Sequence, residues 1–542
     1  LLNGLKSSPQ SALLVRAGVP SDFVPVRRCH NHCMHAANKK WTRPSGYDAG
    51  VKVFNSLTKQ KEPLILAREK VATWYSCGPT VYDHAHLGHA CSYVRFDIVQ
   101  RILTRVFGIT VIHAMVITDI DDKIIKRSWE ENISPSVLTR MFEDEFKKDM
   151  LLLKVLPPLV YLRVTENVHH IVTFIEQIIR NGHAYATSDG DVYFDIQSIG
   201  DRYGRFIGAM ESQETVSLDK KDPRDFALWK KSKPQEPFWE SPWGRGRPGW
   251  HIECSTVASS VFGSQLDIHS GGIDLAFPHH ENEIAQSEAH HQCGQWCNYF
   301  LHSGHLHLKG RAEKMSKSLK NYITIKVNYV IFVHVSIVIF CSLTRPVSID
   351  YSDGSMLEAR ASLETVSAFI NSAQAYMRGK LHTSPIQEAL LWEKLEETKS
   401  SVLTALADDF DTPRAVSAVL SLVYHANCQL QPVSNCTGEA RSPAVLGALV
   451  SYILDIFDLF GINTFKSPVS ISPQTHLEGI LDLLTQFRSE VREFALTQQE
   501  RSNSSSKPGL YPERIPLLKA CDTFRDDLAA LGVIIKVTFF FF

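Results

Sequence analysis

Three groups of residues in this chain have types and spacings that could do chemistry. The first is His86-Leu87-Gly88-His89. Two imidazoles beside a helix start can donate hydrogen bonds to phosphate oxygens, and the helix dipole adds to the hold on an anion. Gly88 has no Cβ, so a flat base can approach the backbone closely there. Alone, the pattern reads equally well as two surface histidines at the start of a helix. The second group is Lys314-Met315-Ser316-Lys317-Ser318, flanked by Gly304 and Gly310 and read as a mobile loop. Its two lysines can neutralise charge that builds on a transferring phosphate group. The plain alternative is a solvated basic loop. The third group is Cys77, Cys254, His279 and Glu283. Pro278 suits the first position of a helix, and the four-residue spacing then puts His279 and Glu283 on one helical face. Two thiols, an imidazole and a carboxylate are all Zn²⁺ ligand types. The two cysteines lie 177 residues apart, so spacing alone leaves buried apolar cysteines as the ordinary reading.

These groups need elements to position them. Val71–Ser76 alternates and is rich in β-formers, which predicts a strand, and Cys77-Gly78-Pro79 follows as a turn. From His89 to Phe107 the apolar residues fall at helical spacing, and Ile109–Thr118 is a second apolar strand. Strand, helix and strand make a βαβ unit and predict a parallel sheet, whose ligand crevice lies beyond the carboxyl ends of its strands. Cys77 and Thr118 both fall at such ends. Residues 122–225 read as an insertion, with a helix at Asn167–Asn181 and a short strand at Asp191–Ile196. Pro234–Gly249, rich in Pro, Gly and Trp, suits a rigid loop. From Ser355 to about Ala495 the pattern turns helical, and Ser502–Pro512 reads as a low-complexity linker.

Found together and in this order, HLGH and KMSKS resemble the paired signatures of class I aminoacyl-tRNA synthetases. The segments Cys77–Asp83, Pro248–Ser255 and Asp267–Glu288 resemble those of cysteinyl-tRNA synthetases, as do Asp225–Lys230 and Met315–Asn321. The likeness runs from about Val53 to Ile325 and resumes more weakly in the helical region. Among members it is most similar to the animal mitochondrial form. The resemblance implies an α/β fold, with a Rossmann-type parallel-sheet catalytic domain (50–325, insertion about 122–225). A junction (326–380) and an α-helical anticodon-binding-type domain (381–535) would follow. It implies attachment of L-cysteine to tRNA-Cys through cysteinyl-adenylate, with ATP and Mg²⁺. Cys77, Cys254, His279 and Glu283 correspond to the zinc ligands, and His251, His269 and His280 to histidines around the metal. Gly78, Thr118 and Trp250, with His279, match the cysteine pocket. His86, Gly88, His89 and Lys317 match ATP contacts, with His86, His89, Lys314 and Lys317 in the catalytic signatures.

Zinc suits such a substrate. An apolar pocket rejects a near-isostere such as serine by only about 10²-fold. A metal binds thiolate and lowers a thiol's pKa, while an alcohol stays protonated. Nothing between Asp122 and Asp225 calls for an editing site.

Bulk properties fit this frame. The chain has 542 residues, 44% hydrophobic and 21% charged, enough for two to four globular domains. A net charge of −1 leaves any contact with nucleic acid to local basic patches. Eleven cysteines, scattered and without CxxC, point away from a disulfide framework. Within the leader, taken as residues 1–49, the first 40 residues hold Lys6, Arg16, Arg27, Arg28, Lys39 and Lys40 against Asp22 alone, as in an organelle transit peptide. Together with the resemblance to the animal mitochondrial form, this implies action in the mitochondrial matrix.

Two stretches depart from the family: the apolar run within 327–345 and the tail 536–542. Tyr329–Leu343 is shorter than the roughly 18 residues of a membrane span and is interrupted by His334, so it reads as buried rather than membrane-bound. Misjoined segments or a splice variant would explain both departures. The expected partners are tRNA-Cys, L-cysteine and ATP, with no membrane, and a monomer is favoured. Two other readings stay open: an ATP-dependent ligase joining cysteine to a small amine, and a non-catalytic metal- and RNA-binding relative.

Overall fold

The computed structural model describes residues 41–206, 219–308, 324–325, 343, 349–351, 353–431, 441–462, 474–496 and 512–530. The leader 1–40, the KMSKS segment, most of 327–345, nearly all of the 502–512 linker and the tail 536–542 lie outside them. A hairpin of β1 (Tyr47–Asn55) and β2 (Gln60–Leu66) opens the described chain. There follow β3 (Val71–Thr80), α1 (Leu87–Arg105) and β4 (Thr110–Thr118), with β3 and β4 parallel, as the sequence predicts for a βαβ unit. After α2 (Asp122–Glu131) and α3 (Pro135–Leu152), β5 (Val160–Arg163) pairs with the far side of β4. Next come α4 (Val168–Arg180) and four antiparallel strands, β6 (Ala184–Ala186), β7 (Val192–Phe194), β8 (Phe226–Lys231) and β9 (Gly246–Pro248). Then α5 (Trp250–Phe262), β10 (Leu266–Gly272), α6 (Glu281–His291) and β11 (Cys297–Ser303) complete the catalytic half.

The main sheet has the order β11-β10-β3-β4-β5. The chain starts at β3, builds outward through β4 and β5, then returns to build the other side with β10 and β11. The order therefore reverses between β3 and β10, and the ligand crevice of such a sheet lies at that point. Alternate residues of β3 leave on opposite faces. Trp74 belongs to the core that also holds residues of α1, α3 and the helical half, while Tyr75 and Cys77 belong to the core that holds residues of α4, α5 and α6. Both faces are covered, so buried apolar side chains leave β3 and β4 on both sides.

The structure corrects three expectations. Cys77 does not end its strand: β3 continues to Thr80, with a register irregularity between Cys77 and Thr80. Residues 122–225 are not one block beside the sheet, because β5 lies among them and forms the sheet's edge, while the small antiparallel sheet runs on to Pro248. Short strands with few β-branched residues carry too weak a pattern to reveal this. Pro278 does not open the helix, which begins at Glu281; it lies in an irregular turn, Ala276–His280.

Beyond β11, β12 (Leu306–Leu308) pairs in parallel with β13 (Ile349–Tyr351), so the chain on either side of the KMSKS segment and the apolar run is held together. Of the run itself Leu343 is described, and it is buried in the main core. The remainder is helical: α7 (Asp353–Met377), α8 (Glu388–Ala407), α9 (Thr412–Gln429), α10 (Pro443–Leu459), α11 (Gln474–Leu496) and α12 (Ile515–Ala530). No described helix is long and apolar enough to cross a membrane.

The Ala407–Pro413 segment (ADDFDTP) docks this half on the hairpin. Asp409 N–H donates to Lys52 O at 2.9 Å, Phe54 N–H donates to Asp409 Oδ1 at 2.7 Å, and Lys61 pairs with Asp408 at 2.7 Å.

Candidate active site

Four side chains distant in sequence meet behind the β3–β10 crevice. Cys77 comes from β3, Cys254 from α5, His279 from the turn before α6, and Glu283 from its first turn. Cys77 Sγ lies 3.6 Å from Cys254 Sγ, 3.5 Å from His279 Nε2 and 3.4 Å from Glu283 Oε1. His279 Nε2 and Glu283 Oε1 are 3.1 Å apart, so the predicted spacing brings them together although the helix starts later than expected. All four are buried, and their ligand atoms lie within 4.8 Å of one another.

Their electrostatics are those of a site short of positive charge. Burial pushes the Cys77 thiol well up, helped by Cys254 and Glu283. Burial also pushes Cys254 up, but the hydrogen bond from Cys77 and the His279 charge outweigh it and bring this thiol down. Burial disfavours charge on His279, yet Cys254 and Glu283 raise it to about 10. Burial likewise works against the Glu283 carboxylate, yet His269 and His279 hold it at about 2. A thiol and a carboxyl drawn toward their anionic forms thus meet an imidazole drawn toward its cation in a buried pocket, and convergent donors of these types fit a bound cation. The residues present therefore suit a metal.

Each donor is itself held. His251 Nδ1 lies 2.8 Å from His279 Nδ1, which leaves Nε2 turned to the cluster. His269 Nε2 lies 2.9 Å from Glu283 Oε2, which leaves Oε1 facing Cys77. Such outer partners fix the orientation of metal ligands. His280 forms a second convergent set with Cys77, His269 and Glu283, and its Nδ1 reaches His302 Nε2 at 2.7 Å. Burial keeps His280 and His302 neutral, with neighbouring histidines adding to the effect. Gly271 makes room for this layer, since a Cβ there would come within 2.8 Å of the His280 ring.

The HHENE run divides its labour. Glu281 accepts from Gly204 and Phe206 N–H at 2.8 Å each, and Asn282 accepts from the Tyr203 hydroxyl at 2.6 Å. Glu288, further along α6, takes a two-pronged ion pair from Arg205. The Ser255 hydroxyl donates to Gln286 at 2.6 Å and ties α5 to α6 beside Cys254 and Glu283.

The remaining predicted residues surround this cluster. Gly78 sits where a Cβ would meet Val116 O at 1.9 Å, so no other residue fits there without displacing β4. Thr118, at the end of β4, is buried, and its carbonyl accepts from Val81 N–H at 3.2 Å. Trp250 is 40% exposed, and its ring lies 4.4 Å from that of His279, so it stands between the cluster and solvent.

His86 caps α1. Its Nδ1 accepts from Gly88 N–H at 3.1 Å, and His89 Nδ1 accepts from His86 N–H at 3.3 Å. The two rings stack at 3.9 Å. This is a capping box made with histidines, and it aims a helix N-terminus at the crevice mouth. Thr324, six residues past Ser318, bridges to His86, so the chain leaving the second signature returns to the first. Lys314 and Lys317 themselves lie outside the described residues.

Sequence reading missed Tyr75 and His302. Tyr75 is two residues before Cys77 on the same strand face, and burial together with Cys254, Cys77 and Glu283 keeps its phenol protonated. His302 is two residues after Phe300, on a strand whose neighbour carries His269. The period of two was the available signal in both cases.

A parallel sheet with its crevice at the switch point, an HLGH helix cap at the mouth and a helical half behind define a class I aminoacyl-tRNA synthetase. The chain matches the family model described as tRNA synthetases class I (C) catalytic domain over residues 64–360, and the DALR domain over 401–465. It is 56% identical over 523 residues to the probable cysteine–tRNA ligase, mitochondrial, of Xenopus tropicalis, covering 94% of this chain and 91% of that one. It is 39% identical over 534 residues to the cytoplasmic cysteine–tRNA ligase of Dictyostelium discoideum, covering 91% and 77%. The fold is shared with the ternary complex of Agrobacterium radiobacter agnB2 LeuRS-tRNA-LeuAMS, at a TM-score of 0.52 and 12% identity, over 81% of this chain and 95% of that one. The chain belongs to the cysteine–tRNA ligase family.

Proposed function

We propose that this protein attaches L-cysteine to tRNA-Cys in two steps, in the mitochondrial matrix, with zinc held by Cys77, Cys254, His279 and Glu283. The observation that carries the reading is the meeting of those four buried donors beside the HLGH helix cap. The Xenopus relative's name and the basic leader support the location. The helical half, domain 381–535 on this reading, supports tRNA over a small amine as acceptor.

When bound, zinc would take the substrate's sulfur as thiolate and leave a serine hydroxyl unrecognised. Gly78, Thr118, Trp250 and His279 would line the cysteine pocket, with Trp250 closing it from solvent. The substrate carboxylate then attacks the α-phosphorus of ATP·Mg²⁺, giving cysteinyl-adenylate and pyrophosphate. His86, Gly88 and His89 would hold the nucleotide at the α1 N-terminus, and Lys314 and Lys317 would offset charge on the phosphates. A terminal ribose hydroxyl of tRNA-Cys finally takes the cysteinyl group and releases AMP. No protein nucleophile enters; positioning and charge carry the rate.

Charging of a tRNA-Cys transcript with radiolabelled cysteine, run beside ATP–pyrophosphate exchange, tests this. Both activities, dependent on cysteine and not on serine, are expected. Exchange without charging would point to a synthetase whose junction no longer docks tRNA or to the small-amine ligase, and neither activity to a non-catalytic relative.

A further inference from the structure

Adenylate formation and transfer make no use of one buried polar group beside the metal cluster, Tyr75. It lies two residues before Cys77 on the same face of β3 and is fully buried. The sheet sets its place. On one side its neighbour in register is His269 of β10, and the two rings meet edge to face at 5.1 Å and 89°. On the other side the neighbour is Ala114 of β4, too small to crowd a phenol. Held in this row, the Tyr75 hydroxyl comes within hydrogen-bonding reach of the Cys254 thiol of α5, with Cys77 and Glu283 close by.

That hydroxyl makes no hydrogen bond of good geometry among the described residues. A buried hydroxyl left unmatched is costly, and a phenylalanine would fill the same space without the cost. The group is accounted for once its acceptor improves. A sulfur that ligates a metal is a thiolate, and an ionised acceptor takes a hydrogen bond more strongly than a neutral thiol does. The Cys254 sulfur becomes such an acceptor when it serves as a ligand. Two of the other donors are already held from behind, His279 by His251 and Glu283 by His269. The Cys254 sulfur bonds within the cluster, to Cys77 and His279. The Tyr75 hydroxyl is the group brought to it from outside.

We propose that Tyr75 is a positioning residue of the metal site, donating its O–H to the Cys254 sulfur when that sulfur ligates zinc. The proposal rests on the reading of the four donors as a metal centre. The hydrogen bond draws electron density out of one ligand, which leaves more of the cation's charge for the sulfur of the substrate. Recognition of the thiol then depends on a side chain that is not itself a ligand.

The test uses the full chain loaded with Co²⁺ in place of zinc. The sulfur-to-cobalt charge-transfer band reports electron density on the ligating thiolates, and the d–d bands report geometry. Tyr75→Phe keeps the ring and removes the hydroxyl. It is expected to bind Co²⁺ with the wild-type stoichiometry and unchanged d–d bands. Its charge-transfer band should move to longer wavelength, because a thiolate without its hydrogen bond gives up electrons more easily. Cysteine should bind the zinc-loaded variant about tenfold more weakly in equilibrium dialysis. Tyr93→Phe is the control. The Tyr93 hydroxyl donates to the Cys77 carbonyl at 3.5 Å, so its loss takes a hydroxyl from the same neighbourhood without touching a sulfur. Its charge-transfer band should stay at the wild-type wavelength. An unmoved band in Tyr75→Phe, or unchanged cysteine affinity, overturns the proposal. So does an equal shift in Tyr93→Phe, a change in the d–d bands or a loss of Co²⁺, since each would make the phenol a packing element. Failure of the wild-type chain to bind Co²⁺ would instead take down the reading of the cluster as a metal centre.

Discussion

The cluster of Cys77, Cys254, His279 and Glu283 draws its donors from a strand, two helices and a turn and buries every one. The joint at Ala407–Pro413 makes the opposite use of polar groups. There Lys61 and Asp408 pair with side chains 27% and 39% exposed, a contact worth little in water. Its strength lies instead in Asp409, buried at 4%, and Phe410, fully buried. These two follow one another at φ of 69° and 52°, a left-handed backbone that non-glycine residues seldom adopt. On the proposed function the first region selects and activates a small molecule. The second spends its strain on fixing where the helical half stands. Activation and transfer should therefore fail separately.

The largest separation is expected from Cys254→Ala. It leaves Cys77, His279 and Glu283 with one donor fewer in a pocket they share at 4.8 Å. Loss of partners one layer out typically costs about 10- to 100-fold, so losing a ligand should exceed that. Metal content, measured by elemental analysis, should fall close to zero, and cysteine-dependent exchange should drop by more than about 10²-fold. The wild type treated with a chelator should reproduce the loss, and acid should hasten it because protons compete for the same donors. Full metal content in the variant would break the assignment of the cluster.

His86→Ala should come next, with a different signature. It removes the cap that accepts from Gly88 N–H and the ring stacked on His89. Exchange should fall by about 10² to 10³, the scale of removing one charge-stabilising donor, while metal content stays whole. Lys317→Ala should likewise lower exchange far more than cysteine binding. A smaller effect is expected from His251→Ala, which frees His279 Nδ1 from its 2.8 Å partner. Metal affinity, read by competition with a chromogenic chelator, should weaken about tenfold. Unchanged affinity would mean that His251 does not orient His279.

Much of the first region was legible in the sequence, because each of its parts has a local pattern. The βαβ start shows in apolar spacing, and HLGH lies where strand gives way to helix. The four donors needed a family resemblance to be joined, since 177 residues separate the cysteines and no spacing rule spans that gap. Tyr75 and His302 escaped because a polar residue inside an apolar strand looks like noise until the facing strand is known. The extent of the small sheet escaped too, its strands being three to six residues long with little alternation. The joint was opaque in the sequence. Residues 407–413 fall inside the stretch read as helical, and only the fold shows a backbone bent into the left-handed region at Asp409 and Phe410 to meet Lys52 and Phe54.

That device gives the finest way to sharpen the comparison. Asp409 does two things at once: it holds a left-handed φ, and its carboxylate accepts from Phe54 N–H at 2.7 Å. Asp409→Val removes the acceptor and puts a β-branched residue at a φ it resists, so both terms oppose the joint. Asp409→Ala removes the acceptor and tolerates φ somewhat better. Asp409→Asn keeps an acceptor oxygen and belongs to the types that accept this backbone. Losing one buried hydrogen bond costs about 1–3 kcal/mol, enough to loosen a contact without unfolding either half. The KM for tRNA-Cys should therefore rise in the order Asn, Ala, Val, by about fivefold for Ala, while the exchange rate and metal content remain those of the wild type. Should exchange fall in step with charging, the joint would be transmitting strain into the activation pocket, and the two regions would not be the separate machines that their burial and charge describe.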